Sequence, residues 1–321
     1  MVKKKLKIGV LFGGKSAEHE VSLASAKNVI AALDKTKYQI IPIKIPKNGV
    51  FNFSLVKKVD VVFPVMHGPF GEDGSMQGFL KLSGVPFVGA GVLGSAVGMD
   101  KDVMKRLFRD AGIPIGKFVT LKAGDKVDFN KIKKELGLPM FIKPANMGSS
   151  VGVSKIKNEA EFKTSIKKAF EFDSKIIIEE FINGREIECA VLGNDTPMAS
   201  LPGEISFNQE FYSYDAKYID DGYKIEIPAK IDTKTTKKIQ ELAIKVFQTL
   251  NCEGLGRVDF FLTKTGKIYA NEINTIPGFT NISMYPKLWE ASGIPQTKLI
   301  DRLIDLAIER FNMENKLKTQ I

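Results

Sequence analysis

The N-terminal part of the chain alternates short apolar runs with stretches of helical periodicity, and this alternation limits the possible folds more than any other feature. Apolar runs at Lys7–Phe12 and Val59–Val65, and an alternating run at Tyr38–Ile45, have the length and composition of strands. Helical spacing occupies Val21–Leu33 and Ser75–Leu82. Strands that alternate with helices form a parallel sheet, and ligands bind at the carboxyl ends of its strands. The sequence therefore predicts an α/β unit with a ligand site at that edge.

The pattern changes near Gly98, where an α+β arrangement begins. The chain has 321 residues, which is too long for one ordinary hydrophobic core, so we expect several domains. We predict an N-terminal α/β substrate domain at 1–98, a central α+β subdomain at 99–186 and a C-terminal subdomain at 187–321. Further predicted elements are helices at Asp100–Asp110, Thr235–Leu250 and Gln296–Phe311, a strand at Met198–Ile205, and a hairpin of Gly256–Leu262 with Ile268–Asn274. The polar, tyrosine-rich segment Ser206–Lys224 is predicted to be a lid.

Composition and charge exclude several classes of protein. The formal net charge is +10, but the lysines are spread along the chain among Asp and Glu, which indicates a solvated basic surface and no nucleic-acid partner. No run approaches the ~20 apolar residues of a membrane span, so no membrane partner is expected. The apolar run Ile8–Gly14 is too short for an export signal, which leaves the cytoplasm as the expected compartment. Cys189 and Cys252 lack metal-binding spacing and are predicted to be buried, reduced thiols.

The segment from Gly9 to Ser16 matches the P-loop pattern GxxxxGK[ST], which would suggest a phosphate-binding loop. Its variable positions include Val10, Leu11 and Phe12, which are typical of a buried strand and not of a solvated loop. We therefore interpret the match as accidental. The pair Gly13-Gly14 is instead expected to let the backbone approach a ligand and to open a helix whose N-terminus favours anions.

The strongest group of functional side chains lies near the C-terminus, in the predicted hairpin. A two-residue turn at Thr265-Gly266 would pair Asp259 with Glu272 and place Asn274 on the same face of the sheet. Three hard oxygen ligands would then converge, which suits Mg²⁺. A solvent-facing polar sheet is the alternative. The apolar neighbours of Asp259 disfavour it, because buried carboxylates without a cation are costly.

Two weaker groups are typical of nucleotide sites. Lys143 ends a strand and is followed by the loop Gly148-Ser-Ser-Val-Gly152, whose backbone N–H groups could hold phosphate. Lys101, at the start of a helix, is a second candidate phosphate lysine, although a surface lysine would look the same. The apolar strand that ends at Glu179-Glu180 could present acids to an adenine amine and a ribose hydroxyl.

Taken in order, these motifs resemble the D-alanine–D-alanine ligase family of the ATP-grasp superfamily over essentially the whole chain. The segments that carry the resemblance are Phe12-Gly-Gly-Lys-Ser-Ala-Glu18, Met66-His67-Gly68 with Gly71-Glu-Asp-Gly74, Met99-Asp-Lys101, Lys143-Pro144 with Gly148-Ser-Ser-Val-Gly152, Tyr214-Asp-Ala-Lys217-Tyr218, and Gly256-Arg257-Val-Asp259 with Asn271-Glu-Ile-Asn-Thr-Ile-Pro-Gly278. Each motif alone is modest evidence, whereas the whole ordered set is specific. The chain departs from the family pattern at Pro69-Phe70, Ile276 and Met284, and none of these removes a charge that the chemistry needs.

The resemblance implies an ATP-grasp fold and ligation of two D-alanine molecules to D-alanyl-D-alanine, for peptidoglycan precursors, through a D-alanyl phosphate with release of ADP and phosphate. It also implies ATP and two Mg²⁺ ions, with Mn²⁺ as an alternative ion, and a homodimer. The residues that it assigns to catalysis are Glu18, Ser149, Tyr218, Arg257, Gly278 and Ser283. Those that it assigns to ATP are Lys101, Lys143, Ser150, Glu179, Glu180, Phe181, Ile182 and Glu186. Those that it assigns to the amino-acid substrates are Glu18, His67, Lys217, Ser283 and Met284, and the metal ligands are Asp259, Glu272 and Asn274.

Two other functions are compatible with parts of the pattern. A different ATP-grasp enzyme, such as a carboxylase subunit or a ligase for other acids, would share the nucleotide motifs, but the segments Ser16-Ala-Glu18 and Tyr214–Tyr218 disfavour it. A catalytically silent ATP-binding regulator would not need the full set of metal ligands and phosphate lysines. Release of phosphate from ATP, measured with and without D-alanine, distinguishes the three.

Overall fold

The N-terminal part of the molecule is a parallel sheet with helices, as the sequence predicts. The computed structural model describes residues 4–207 and 223–318, apart from the side chains of residues 207 and 223. The elements of this part are β1 (Leu6–Gly13), α1 (His19–Ala32), β2 (Tyr38–Ile45), a 3₁₀ helix (Phe53–Lys58), β3 (Val61–Pro64), α2 (Ser75–Leu82) and α3 (Val92–Met99). The strand order is β2-β1-β3, and both pairings are parallel. The carboxyl end of β1 therefore delivers the chain to the Gly13-Gly14 bend and then to Glu18, at the N-cap position of α1.

The central part is an antiparallel sheet covered by helices. Its elements are α4 (Lys101–Asp110), β4 (Phe118–Lys122), α5 (Phe129–Leu136), β5 (Met140–Pro144), β6 (Ser154–Ile156), α6 (Glu159–Phe170) and β7 (Lys175–Glu180). The strand order is β4-β7-β5-β6. Residues 176–178 of β7 are fully buried because this strand lies inside the sheet. Asp100 caps α4 by accepting hydrogen bonds from the backbone N–H groups of Asp102 and Val103, which fixes the start of the helix that carries Lys101.

The C-terminal part contains the largest sheet. Its elements are β8 (Gly184–Gly193), β9 (Met198–Ala199), β10 (Gly203–Phe207), β11 (Tyr223–Glu226), α7 (Thr233–Thr249), β12 (Gly254–Thr263), β13 (Ile268–Asn274), α8 (Met284–Ala291) and α9 (Gln296–Glu314). The strand order is β11-β10-β8-β12-β13, and β9 pairs with the outer part of β8. The hairpin of β12 and β13 is the one predicted from the sequence.

One hydrophobic core joins the N-terminal sheet to the C-terminal part of the chain. Ile8 and Phe63 belong to the same buried cluster as Tyr285 and Trp289 of α8. The rings of Phe63 and Phe279 meet edge to face with centroids 5.7 Å apart. Because the core is continuous, the edge of the parallel sheet is held against the sheet that carries the acidic hairpin. The division at 98/99 and 186/187 stays a proposal.

The structure corrects the sequence predictions in three places. Helices α3 and α8 were not predicted: α3 contains Gly94 and Gly98, which favour close packing over helix formation, and α8 carries Pro286 in its first turn, where proline is tolerated. The predicted strand Met198–Ile205 is divided into β9 and β10, with Pro202 between them. Helix α1 spans His19–Ala32, whereas the prediction was Val21–Leu33.

Two further expectations concern the cysteines and membrane spans. Both Cys189 and Cys252 are buried free thiols, as predicted, and burial raises the pKa of each thiol to about 12. Within the described ranges, no helix combines the length and the apolar character that crossing a membrane requires.

Candidate active site

A cavity of about 860 Å³ lies where the three parts of the molecule meet. Its lining contains residues from the loops after β1 and β3, from α4, from β5 and β7, and from the sheet of β8, β12 and β13. The predicted site residues that line it are Glu18, His67, Lys101, Lys143, Ser149, Ser150, Glu179, Glu180, Phe181, Ile182, Glu186, Arg257, Asp259, Glu272, Asn274, Gly278, Ser283 and Met284. The remaining two, Lys217 and Tyr218, lie outside the described residues, as does most of the predicted lid.

A row of three carboxylates crosses the sheet at the floor of this cavity. Asp259 on β12 pairs with Glu272 on β13, as predicted, and with Glu188 on β8 on its other side. The predicted two-residue turn is wrong, because Thr263 pairs with Lys267 around a three-residue loop. A register shift between Asp259 and Phe260 compensates for the extra loop residue. The predicted pairing of Asp259 with Glu272 is therefore correct although the predicted turn is not.

Cationic groups neutralise this row. The guanidinium of Arg257 donates to both carboxylate oxygens of Asp259, at 2.8 and 2.7 Å, and its Nε lies 2.8 Å from Glu188 Oε2. Lys101 Nζ lies 3.5 Å from Glu272 Oε2. The amide of Asn274 donates to Asp259 Oδ2 at 3.0 Å. The arrangement concentrates negative charge on one face of the sheet and sets cations directly against it.

The two predicted phosphate lysines reach the cavity from different elements. Lys101 begins α4 and donates to the carbonyl oxygen of Met147 at 2.8 Å, so it already touches the glycine-serine loop. Lys143 lies on β5, and its Nζ is 2.6 Å from Glu179 Oε2. Burial alone would lower the pKa of Lys143, but the negative charges of Glu179 and Glu272 outweigh it and raise that pKa. Lys143 therefore keeps its positive charge at neutral pH, and both lysines line the cavity, where an anion can reach them.

Glu179 lies between two lysines at the inner end of the cavity. Lys105 Nζ is 2.6 Å from Glu179 Oε1, opposite the contact of Lys143 with Oε2. Burial would raise the pKa of Glu179, yet Lys105 and Lys143 together hold it well below its usual range. Glu180, by contrast, accepts from the backbone N–H of Lys117 at 2.8 Å and holds the strand end. Next along the chain, Phe181 is 39% exposed and forms an apolar wall of the cavity.

Glu18 connects the parallel sheet to the glycine-serine loop. Ser149 Oγ donates a hydrogen bond to Glu18 Oε1, across a sequence separation of 131 residues. A Cβ atom at Gly68 would lie 2.6 Å from Glu18 Oε2, and one at Gly148 would lie 2.9 Å from it, so glycine leaves room for the carboxylate. Ser149 and its neighbour Ser150 both have positive φ, at 49° and 60°, a conformation that costs about 1–3 kcal/mol per residue and clusters at functional sites.

The loop after β3 holds the peptide of Ile276 by both of its polar groups. Glu72 accepts from the N–H of Ile276 at 3.3 Å and from the N–H of Gly68 at 2.8 Å. The Nδ1 atom of His67 lies 3.0 Å from the carbonyl oxygen of Ile276, and its Nε2 atom lies 3.1 Å from Ser25 Oγ. Burial lowers the pKa of His67. Two side chains of the N-terminal part thus fix the segment that leads to Gly278.

Gly278 and the residues after it form the end of the cavity beside Glu18. A Cβ at Gly278 would lie 2.8 Å from Ser283 Oγ, so only glycine allows this approach without movement. Ser283 Oγ accepts from the N–H of Thr280 at 2.9 Å, and Met284 begins α8 in a buried position. Ser283 and Met284 both line the cavity, next to the segment that His67 and Glu72 hold in place.

The P-loop match is accidental, as we interpreted it. Val10 and Leu11 are fully buried in β1, and Lys15 is exposed outside the cavity lining, with its side chain packed on Gly49. The expected anion site at the start of α1 is wrong, because Glu18 occupies the N-cap position there. The glycine pair does allow a tight bend: Gly13 has φ of 94°, and a Cβ there would lie 2.2 Å from the carbonyl oxygen of Ile45.

We expect Lys15→Ala and Lys143→Ala to differ strongly in their effect on ATP. Removing Lys143 deletes a charged donor from the cavity and should raise the KM for ATP by about ten-fold or more, because hydrogen bonds to charged groups contribute ~1.5–3 kcal/mol. Lys15→Ala should leave that KM within about two-fold, as for an ordinary surface substitution. Steady-state kinetics with ATP as the varied substrate decide, and an equally large effect of Lys15→Ala would restore the P-loop interpretation.

The raised pKa of Glu72 is expected to make the stability of the protein depend on pH. Burial, followed by the nearby charge of Glu18, raises the pKa of Glu72 from its ordinary 4.5 to about 8. The folded protein then holds a proton that the unfolded chain releases, so this contribution is present below pH 4.5 and is lost as pH rises through about 8. Thermal unfolding of the wild type should therefore shift downward over this range more than that of Glu72→Gln. Parallel curves for the two proteins would contradict the assignment.

Three residues of the site were not predicted: Lys105, Glu72 and Glu188. Lys105 follows Lys101 by four positions on the same helix, and this spacing could have indicated a second lysine on the same helix face. Glu188 lies two residues after Glu186 on β8, and alternate residues of a strand share a face, so this spacing could have indicated that Glu188 faces the site as Glu186 does. Glu72 belongs to a motif that was noted, but no local pattern shows that it contacts Ile276.

The cleft sets Lys101 of α4 and Lys143 of β5 against a row of acids on the C-terminal sheet, in a fold shared with solved ligases, and this defines a nucleotide-dependent ligase of the ATP-grasp class. The family models named D-ala D-ala ligase N-terminus and D-ala D-ala ligase C-terminus match residues 7–55 and 51–90, and residues 107–305, respectively. The chain is 49% identical to D-alanine–D-alanine ligase A of Salmonella typhimurium, over 98% of this chain and 99% of that protein. The chain belongs to the D-alanine–D-alanine ligase family.

Solved structures agree with this assignment. The VanG D-Ala:D-Ser ligase of Enterococcus faecalis is 39% identical, with a TM-score of 0.87 over 95% of this chain and 100% of that one. The D-alanine–D-alanine ligase of Bacillus anthracis complexed with ATP is 30% identical, with a TM-score of 0.84 over 96% of this chain and 99% of that one. The first of these differs in its second substrate, so the fold is compatible with more than one acceptor.

Proposed function

We propose that this protein joins two molecules of D-alanine to D-alanyl-D-alanine at the expense of ATP, for peptidoglycan precursor synthesis. The observation that carries the proposal is 49% identity to a D-alanine–D-alanine ligase over nearly the whole of both chains, and a cavity lined by both lysines and acids is compatible with it. We propose further that it works in the cytoplasm as a homodimer.

ATP would lie along the side of the cavity formed by the central sheet. Phe181 and Ile182 offer an apolar surface for the base, and Glu179 and Glu186 offer acceptors for its amine and for ribose hydroxyls. Lys101 and Lys143 would bind the phosphates, with Ser150 in the loop beside them. The choice of ATP as the nucleotide is supported by the B. anthracis relative, which was solved complexed with ATP.

The acidic row fits Mg²⁺ as the cation that accompanies the nucleotide. Asp259, Glu272 and Asn274 offer hard oxygen atoms on one face of the hairpin, and Mg²⁺ commonly takes few protein carboxylates together with substrate phosphates. No three His, Cys, Asp or Glu side chains of the described residues form a metal-binding group by themselves. We propose that two ions bind here, with the amide oxygen of Asn274 and phosphate oxygens among their ligands. Bound there, Mg²⁺ or Mn²⁺ would neutralise phosphate charge.

The residues of this chain would then divide the chemistry among them. A carboxylate resists attack because its leaving group would be oxide, and phosphorylation by ATP supplies a better one. Lys101, Lys143 and Arg257 would stabilise the negative charge of the transferred phosphoryl group and of the developing oxyanion. The N–H of Gly278, whose approach depends on the absence of a side chain, would donate to the same oxyanion.

The amino acids would bind at the other end. Glu18, oriented by Ser149, is suited to the ammonium group of the first D-alanine, and His67 lies close by. Ser283, Met284 and Lys217 are proposed to contact the second D-alanine, and Tyr218 is proposed to join Glu18 and Ser149.

A single assay tests this function and its nearest alternatives. Release of phosphate from ATP should require D-alanine, and the product should be D-alanyl-D-alanine by mass spectrometry. ATP hydrolysis that does not respond to D-alanine would contradict the proposal, as would a product that forms with D-serine and not with D-alanine. Binding of ATP without any turnover would indicate a regulator.

A further inference from the structure

Lys105 is a buried cation that the proposed chemistry does not use. It lies on α4 one turn after Lys101, and the whole residue is 3% exposed. Its Nζ is 2.6 Å from Glu179 Oε1, while Lys143 takes the other oxygen at the same distance. One carboxylate is thus held between two ammonium groups at the base end of the cavity.

The two lysines differ in their freedom to leave this carboxylate. The side chain of Lys143 is 16% exposed and that of Lys105 is 4% exposed. Lys143 lies next to Pro144 at the end of β5, where the glycine-serine loop begins, and it is also influenced by the charges of Glu272 and Glu186. Lys105 also lines the cavity, but its side chain is the less exposed of the two. An anion that enters the cavity would therefore draw Lys143 away from Glu179 more readily than Lys105.

This difference has a chemical consequence for Glu179. A carboxylate that lost its only counter-ion inside a cavity would take up a proton and become a donor. With Lys105 in place it keeps its charge, and the two lysines occupy only part of the acceptor capacity of an ionised carboxylate. The remaining acceptor positions suit an exocyclic amine and repel a carbonyl oxygen.

We propose that Lys105 is the permanent counter-ion of Glu179. It keeps the Glu179 carboxylate ionised, and therefore a hydrogen-bond acceptor, while Lys143 binds phosphate. The ionised Glu179 then selects a 6-aminopurine nucleotide over a 6-oxopurine nucleotide. Lys105 is in this sense a positioning residue, because it acts through Glu179. The inference rests on the proposed binding of ATP with its base at this end of the cavity. A purely structural ion pair would affect stability and would weaken both kinds of nucleotide equally.

Isothermal titration with ATP and with GTP measures this selection without turnover. The wild type should prefer ATP. Lys105→Met should lose about 10–100-fold in affinity for ATP and little for GTP, as expected for a charge-assisted hydrogen bond, so the preference should collapse. Lys105→Arg, which keeps the charge, should retain most of it. Lys163→Met, which deletes an exposed lysine paired with Glu159, is the matched control and should behave as wild type.

Two further measurements separate selectivity from folding. Lys105→Met leaves the ion pair of Lys143 with Glu179 in place, so thermal unfolding should show that this variant stays folded. The double variant Lys105→Met with Glu179→Gln also removes the acceptor carboxylate and should likewise lack the preference for ATP. An unchanged ratio of ATP to GTP affinity in either folded variant would overturn the inference and leave the proposed function standing. Failure of the wild type to bind ATP at all would overturn the proposed function, and this inference with it.

Discussion

Glu272→Gln is expected to abolish ligation while the fold stays intact. Glu272 lies in the acidic row, paired with Asp259 across the hairpin and 3.5 Å from Lys101 Nζ. The substitution keeps the shape of the side chain but removes its negative charge, so the site loses affinity for the cation that would accompany the phosphates. We expect kcat to fall by about 1,000-fold or more, as for other groups that stabilise transition-state charge. The measurement is D-alanine-dependent phosphate release at saturating ATP.

The control for this substitution is Glu241→Gln, which changes an acid of α7 whose side chain is 69% exposed. That variant should retain wild-type turnover. Thermal unfolding should show that Glu272→Gln remains folded, since the side chain is 28% exposed and its loss leaves no fully buried charge. Turnover within about ten-fold of wild type would contradict the assignment, because ligation would then not need this charge.

The hairpin illustrates how far periodicity can predict a site. An assumed two-residue turn paired Asp259 with Glu272, and alternation then placed Asn274 on the same face, because side chains of one face recur at every second residue. The turn itself was predicted one residue too short. A bulge beside Asp259 corrected the register, and nothing in the local pattern required that bulge. The predicted pairing was correct only because the bulge offsets the extra residue in the turn.

Contacts between distant segments could not be predicted in the same way. The hydrogen bond from Ser149 to Glu18 and the clamp of Glu72 on Ile276 join parts of the chain that meet only after the cores have packed. These residues belong to motifs that the sequence analysis identified, but a sequence motif does not show which side chains of different motifs contact one another. The positive φ of Ser149 is likewise a product of tertiary structure, because serine has no local preference for it.

Helices with a weak local preference for helix formation were also missed by the sequence analysis. Helix α3 has Gly94, whose hydrogen atom faces the carbonyl oxygen of Asn251, and Gly98, which faces Thr275. These close approaches make glycine useful for packing although it disfavours a helix by about 1 kcal/mol. The periodic segment Ser75–Leu82 was predicted at its observed bounds, because its apolar face specifies where it packs.

Arg257→Met is expected to reduce both stability and turnover. Arg257 binds Asp259 through two hydrogen bonds and lies 2.8 Å from Glu188 Oε2, so its removal leaves two largely buried carboxylates without their shared counter-ion. Breaking such a pair costs about 3 kcal/mol, which denaturant unfolding can measure. Turnover should fall by about 100–1,000-fold if Arg257 also stabilises the oxyanion.

Addition of Glu188→Gln distinguishes these two effects of Arg257. The double variant Glu188→Gln with Arg257→Met removes one of the two carboxylates that lost their partner, so part of the lost free energy of unfolding should return. Turnover should not return with it, because the missing guanidinium is needed at the reacting atoms and not only beside Glu188. The single variant Glu188→Gln sets the baseline for both measurements. If the double variant regains stability and turnover together, Arg257 acts only as a counter-charge within the sheet, and the oxyanion must be stabilised by the N–H of Gly278 and the lysines.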